Sequence, residues 1–312
     1  MMFSDNYIQR VVATKSHLCV GLDPVLDKFP YFILNRAKEL YGKNPQGAAY
    51  AILEFNKIII DIVADKVPSV KPQLANYEKY DSYGIEAFWK TVEYARKKGL
   101  LVIADAKRGD IGSTSNAYAE SFFKNSEDEW ASSVAVDALT INPFLGSDGL
   151  DPFINLNSKK GNFVLVKTSN QSSGEIQDLV IDNKQITVSE TVCDYINSRV
   201  KLVGEYGFSN IGAVVGATYP QELSKFRKLL PHSLFLVPGV GYQGGDITQL
   251  EAGFDKRGLG SIISCSRAID YSYESQDVSE IEMKLSISKA VDDFNMRINS
   301  MLKSANKCFW ED

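Results

Sequence analysis

The chain has 312 residues, 44% hydrophobic and 23% charged, a globular balance that excludes wholesale disorder. Its net charge of −5 argues against a basic nucleic-acid-binding surface, while leaving room for a local basic pocket that takes a phosphate. No apolar run approaches the roughly 18 residues that a membrane span needs, and the best stretch, from Ile58 to Val63, is broken by Asp61. Met1 to Arg10 has neither the apolar core of a signal peptide nor the arginines of a transit peptide, so the chain reads as soluble and cytoplasmic. The four cysteines, Cys19, Cys193, Cys265 and Cys308, form no C-x-x-C pair, and only two histidines, His17 and His232, are present. Zinc sites, disulfide frameworks and multi-histidine metal sites are thereby disfavoured. Lys, Asp and Glu are left to do the acid–base work.

Short β-branched runs alternate with longer helical patterns. The first predicted strand is 18–22. Ala48, Ile52, Phe55, Ile59 and Val63 then recur at helical spacing before a strand at 69–72. Ile85, Phe88, Trp89, Val92 and Ala95 make the next helical face, closed by Lys97 and Lys98 and stopped by Gly99. Strands follow at 101–106, 138–141 and 163–167. A stripe of Val188, Val192, Ile196, Val200 and Val203 precedes the strand 212–216, and Leu223, Phe226 and Leu230 precede 234–238. The last strand is 261–264. The last helix carries Leu285, Val291, Phe294 and Ile298 and opens near a capping box, Ser279 to Glu282. The polar stretches 155–162, 169–183 and 271–279 are of loop length, and no linker divides the chain. Strands alternating with helices predict a parallel α/β fold, read as a (β/α)8 TIM barrel forming a single domain over 1–312. An open doubly wound sheet is the alternative that pattern alone leaves.

The segment 103–114 begins as an apolar strand and ends in charge. Side chains two apart on a strand share a face, so Asp105 and Lys107 point one way while Ala104 and Ala106 point the other. If that face is the barrel interior, opposite charges meet at its mouth, where burial demands pairing. A lysine flanked by carboxylates holds its proton at neutral pH, which suits a general acid. The bland reading is a solvated strand-end salt bridge. Lys71 ends the second strand and Asp23 the first, before Pro24. An ordinary surface lysine and an Asp-Pro turn explain each alone. Together these charges collect at the C-terminal strand ends, the active face of a barrel. Asp110 lies just beyond, where a turn brings it toward the cluster.

After the seventh strand, the loop from Pro238 to Asp246 contains a literal G-x-G-x-x-G, Gly239 to Gly244. A dinucleotide site needs an acid ending the next strand, but that strand runs into Ser264-Cys265-Ser266-Arg267. A phosphate loop fits better, with backbone N–H groups and the Arg267 fork taking the oxygens. The glycine-punctuated stretch from Gly245 to Gly258 reads as a mobile lid. After the fifth strand, Thr168-Ser169-Asn170-Gln171 offers hydroxyls and amides to a polar ring, or is ordinary turn composition. Cys19, Cys265 and Trp89 read as core. Tyr77 and Tyr80 read as packing, and both histidines sit at the face opposite the site.

At this point the residues resemble the orotidine 5′-phosphate decarboxylase family. The segment Asp105-Ala106-Lys107-Arg108-Gly109-Asp110-Ile111-Gly112-Ser113-Thr114 is similar to its signature. So are Gly21-Leu22-Asp23-Pro24, Val70-Lys71-Pro72, Val166-Lys167-Thr168-Ser169-Asn170, Pro238-Gly239-Val240-Gly241, Gln243-Gly244-Gly245-Asp246 and Ser266-Arg267-Ala268. The spelling and length resemble the longer, second class, with Gln171 where a proline is usual. The resemblance implies a (β/α)8 barrel that acts without cofactor or metal on a nucleotide. It also implies a homodimer with shared active sites. Lys71, Asp105, Lys107 and Asp110 would form an alternating charged network, with Asp110 and Thr114 reaching the partner subunit's site. Asp23 would take the ribose hydroxyls, Ser169 the pyrimidine, and Gln243 and Arg267 the phosphate. No nucleic acid or membrane partner is implied.

The chemistry of the residues agrees. Loss of CO2 from C6 leaves a carbanion, and no cofactor signature is present to delocalise it. A preorganised cation must stabilise it, and Lys107 fits as that cation and as the acid that protonates C6. The competing readings are a Mg2+-dependent sugar-phosphate decarboxylase or aldolase of the same barrel superfamily, which Lys71 opposes, and a non-catalytic phosphosugar-binding barrel.

Overall fold

The computed structural model describes residues 1–123, 130, 134–241 and 245–310. In chain order it begins with α1 (Phe3–Thr14), β1 (Leu18–Leu22), α2 (Tyr31–Tyr41), α3 (Pro45–Val63), β2 (Ser69–Pro72), α4 (Ala75–Glu78), α5 (Asp81–Lys97) and β3 (Leu101–Arg108). It continues with α6 (Gly112–Phe123), β4 (Ala138–Ile141), α7 (Ser147–Leu156), β5 (Gly161–Lys167) and α8 (Gly174–Gln177). A hairpin of β6 (Val180–Ile181) and β7 (Ile186–Thr187) leads into α9 (Val188–Arg199) and β8 (Ser209–Val215). The chain ends with α10 (Pro220–Leu229), β9 (Ser233–Val237), β10 (Ser261–Cys265), α11 (Arg267–Asp270) and α12 (Glu280–Ser304).

The eight long strands close into one parallel barrel in chain order, β10 pairing back onto β1. Closure, rather than an open sheet, gives every strand two buried faces, which is why the strands read as near-continuous apolar runs. Leu18, Val20, Val102, Ala104, Val164 and Val166 face outward into the core beneath the helices. Their neighbours Cys19, Leu101, Ile103, Phe163 and Leu236 belong to an inner cluster. α1 joins that inner cluster through Phe3, Tyr7, Ile8 and Val11. The 3–4 spacing of these residues is itself a helical signal.

Local signals set several helix ends. Asn44 caps α3 by accepting from the Gly47 N–H, with Pro45 in the first turn. α12 opens on the predicted Ser279–Glu282 capping box. α5 ends at Lys97, and Gly99 supplies the left-handed φ of 83° that turns the chain into β3.

Three expectations are corrected. α9 stops at Arg199, so Val200 and Val203 lie beyond it and Val203 is exposed. On α12 the buried stripe is Met283, Ile287, Val291, Phe294 and Ile298; Leu285 sits on the opposite side and is exposed. The stretch read as a lid is largely built in. Ile247, Leu250 and Phe254 are buried in the core, the first two within a 3-10 turn at Ile247–Gly253. His17 is buried before β1, between Phe254 and Trp310, where burial lowers its imidazole to about 3. It stays neutral and away from the strand C-termini. Among the described residues, no helix is long and apolar enough to cross a membrane.

Candidate active site

The C-terminal strand ends enclose a cavity of about 370 Å3, within the size range of small-molecule sites. Asp23, Lys71, Asp105 and Lys107 reach it from the first three strands, and Ser169 and Arg267 from the loops after β5 and β10.

The centre is one carboxylate with four donors. Asp105 Oδ2 accepts from Lys71 Nζ at 2.9 Å and from Gln73 Nε2 at 3.1 Å. Its Oδ1 accepts from Lys107 Nζ and, at 3.0 Å, from Thr140 Oγ1. Asp105 is 8% exposed and Lys71 4%, so neither charge would be tolerable alone. Burial pushes the Asp105 carboxyl up, but Lys71 and Lys107 outweigh it and hold the group well below the usual carboxylate range. Burial pulls the Lys71 ammonium down, and Asp105 and Asp23 override it, leaving Lys71 above its ordinary value. Both partners are held in their charged forms.

Lys107 reaches the cluster by more than strand alternation. β3 runs on to Arg108, and its register with β4 shifts between Ala104 and Arg108. Within that bulge Lys107 has a φ of 50°, a left-handed conformation that costs a non-glycine residue about 1–2 kcal/mol. Its amide donates to Thr140 Oγ1 at 2.9 Å, so a single threonine hydroxyl fixes both the lysine backbone and the carboxylate it serves. The Lys107 side chain is half-exposed in this chain and ready to meet a ligand.

The loops are held as firmly. Lys167, fully buried, pairs with Asp178 at 2.5 Å. The Thr168 amide donates to Gln177 Oε1 at 2.9 Å, closing the turn that carries Ser169. A Cβ on Gly216 would fall 2.8 Å from the Ser169 Cα, so this glycine lets the turn lie against β8. Arg267 opens α11 directly after β10. Among the described residues no group of three or more His, Cys, Asp and Glu side chains is placed to hold a metal ion.

Residues 16–281 match the model of the "Orotidine 5'-phosphate decarboxylase / HUMPS family". The chain belongs to this family. A curated orotidine 5′-phosphate decarboxylase of Rhodopirellula baltica is 38% identical over 97% of this chain and 99% of its own length. One from Caldicellulosiruptor bescii is 37% identical over 90% of this chain and 93% of its own. The solved structure of a Leishmania donovani OMP decarboxylase superposes with a TM-score of 0.73 at 29% identity, covering 96% of this chain and 99% of that one.

Membership makes the outliers informative. Asp110 and Thr114 do not line the cavity of their own chain; Asp110 is partly buried just after β3, and Thr114 is exposed on α6. Gln243 lies outside the described residues. Gln73 and Thr140 contact Asp105 directly but were not singled out from sequence. Gln73 follows the strand-ending Lys71-Pro72, and its place beside a charged strand end was the available signal. Thr140 is one hydroxyl in an apolar strand and gave none. Thr168 and Asn170, in the loop whose hydroxyls and amides suit a polar ring, also line the cavity.

Proposed function

We propose that this cavity removes CO2 from orotidine 5′-phosphate without a cofactor, Lys107 stabilising and then protonating the C6 carbanion. The chain is a carboxy-lyase that converts orotidine 5′-phosphate to uridine 5′-phosphate in pyrimidine nucleotide synthesis. The observation that carries the mechanism is the Asp105 carboxylate pinned between Lys71 and Lys107 at the cavity wall. The bond from C6 to the carboxylate breaks, its electron pair stays on C6, and a proton passes from Lys107 Nζ to that carbon. Solvent then restores the ammonium. A cation already in place pays no reorganisation cost as charge develops. Asp105 lies beside the departing carboxylate and orients Lys107, and Lys71 keeps Asp105 ionised.

In this reading Asp23 takes the ribose hydroxyls, Ser169 the pyrimidine edge, and Arg267, with Gln243, the phosphate. Two chains pair so that Asp110 and Thr114 complete the partner's site. What supports the pairing is that the loops after β3 and β4 carry exposed apolar side chains: Phe144 is 81% exposed, with Ile111 and Leu145 also bare. The same reading makes the protein a cytoplasmic enzyme of one barrel domain. Lys71 argues against a Mg2+-dependent relative, because a buried cation stands where such an enzyme needs an acidic ligand.

The test is the absorbance of orotidine 5′-phosphate after mixing with the purified protein in EDTA. The expected result is rapid loss; no loss from folded protein would overturn the cofactor-free reading.

A further inference from the structure

The strand end that carries Asp23 and the short helix that carries Arg267 are tied together at three points. The Asp23 amide donates to Asp270 Oδ2 at 3.4 Å, and the Asp23 carbonyl accepts from the Tyr271 hydroxyl at 2.8 Å. The same hydroxyl accepts from the Val25 amide at 2.7 Å. On the strand itself, a Cβ on Gly21 would lie 2.3 Å from Ser266 Oγ, so β1 and the start of α11 are in direct contact. Ser266 in turn accepts from the Ile269 and Asp270 amides through its carbonyl, fixing Asp270 relative to Arg267. The Tyr271 ring stacks on Phe55 with centroids 5.6 Å apart, so α3 sets its position.

Asp270 is an unusual residue for this place. It is fully buried, and its Oδ1 has no hydrogen-bond partner among the described residues. Burial raises its carboxyl well above the ordinary value, and the neighbouring Asp23 charge adds to the effect. Its Oδ2 is spent on the Asp23 amide, which ties the carboxyl to the end of β1.

We propose that Asp270 and Tyr271 are positioning residues that clamp Asp23 to Arg267 and so fix the spacing at which ribose hydroxyls and a 5′-phosphate are taken by one ligand. This inference rests on the assignment of Asp23 to the ribose and Arg267 to the phosphate. The clamp discriminates a nucleoside 5′-monophosphate from its separate parts. It adds nothing to the binding of phosphate alone, because Arg267 is unchanged when the clamp is loosened.

Calorimetric titration of uridine 5′-phosphate and of inorganic phosphate, on the full chain, tests it. Tyr271→Phe keeps the stacked ring and removes both hydroxyl hydrogen bonds. It is expected to weaken uridine 5′-phosphate about tenfold and to leave inorganic phosphate within about twofold. KM for orotidine 5′-phosphate should rise by a similar factor while kcat changes less. Asp270→Asn keeps an acceptor oxygen of the same reach for the Asp23 amide and should bind close to wild type, whereas Asp270→Ala should resemble Tyr271→Phe. Tyr271→Phe and Asp270→Ala proteins that bind uridine 5′-phosphate like wild type would overturn the clamp, as would Asn behaving like Ala. Asp23→Asn and Arg267→Ala are the controls. If they leave uridine 5′-phosphate affinity unchanged, the underlying assignment fails instead. If they weaken it while the clamp variants do not, only the clamp fails.

Discussion

Replacing Asp105 by Asn removes one charge, keeps the volume, and leaves the 4%-exposed Lys71 without its main partner. Breaking a buried pair on one side costs about 3–5 kcal/mol. At about 2 °C per kcal/mol for a chain of this size, the melting temperature at pH 7 should fall by about 6–10 °C. The pH dependence follows from the direction of the Asp105 shift. Its folded carboxyl is held below the unfolded value, so its contribution is full above the unfolded pKa of about 3.9 and is lost as pH falls through the folded one. The gap between wild type and Asp105→Asn should therefore be constant through neutral pH and shrink below about pH 4. Urea unfolding of both proteins at a series of pH values reads this directly. Equal stability at neutral pH, or a gap that does not close in acid, would refute the buried-pair account.

Other consequences are as specific. Arg267→Ala should raise KM for orotidine 5′-phosphate and weaken uridine 5′-phosphate at least about tenfold; unchanged affinity would remove the phosphate assignment. Thr140→Val deletes the hydroxyl that holds both the Lys107 amide and Asp105 Oδ1, and should lower kcat by about tenfold with a destabilisation of about 1–3 kcal/mol. A variant with wild-type kcat would show that the bulge sets Lys107 unaided. Gly21→Ala drives a methyl into Ser266 and should impair folding or ligand binding; a silent substitution would mean that the contact yields freely. Mixing inactive Lys107→Ala and Asp110→Ala proteins should restore about a quarter of the active sites if sites are shared across a two-fold dimer. No recovery after subunit exchange would contradict sharing.

The barrel was legible because strands buried on both faces leave a plain apolar signature, broken only where a strand end meets the cavity. That is why Asp23, Lys71, Asp105 and Lys107 stood out. What surrounds them was not legible in the same way. Thr140 looks like any β-branched strand residue, and its value comes from a register shift that no local pattern encodes. Asp270 and Tyr271 act on a residue 247 and 248 positions away in sequence, through backbone groups that carry no side-chain identity. The misread lid had a signal of its own. Ile247, Leu250 and Phe254 recur at near-helical spacing, and burial of that face outweighs the flanking glycines. Leu285 is apolar by hydropathy alone; the helical stripe running through Ile287 and Val291 leaves it facing solvent.

The most direct test of the central claim is turnover by Lys107→Ala under substrate saturation. Lys107 is half-exposed, and its loss leaves the buried Lys71–Asp105 pair in place, so the fold should survive. The account predicts native circular dichroism, retained uridine 5′-phosphate binding, and a kcat reduced by about 10^4-fold or more, since one group supplies both the stabilising charge and the proton. A folded Lys107→Ala protein that turns over at near the wild-type rate would contradict it.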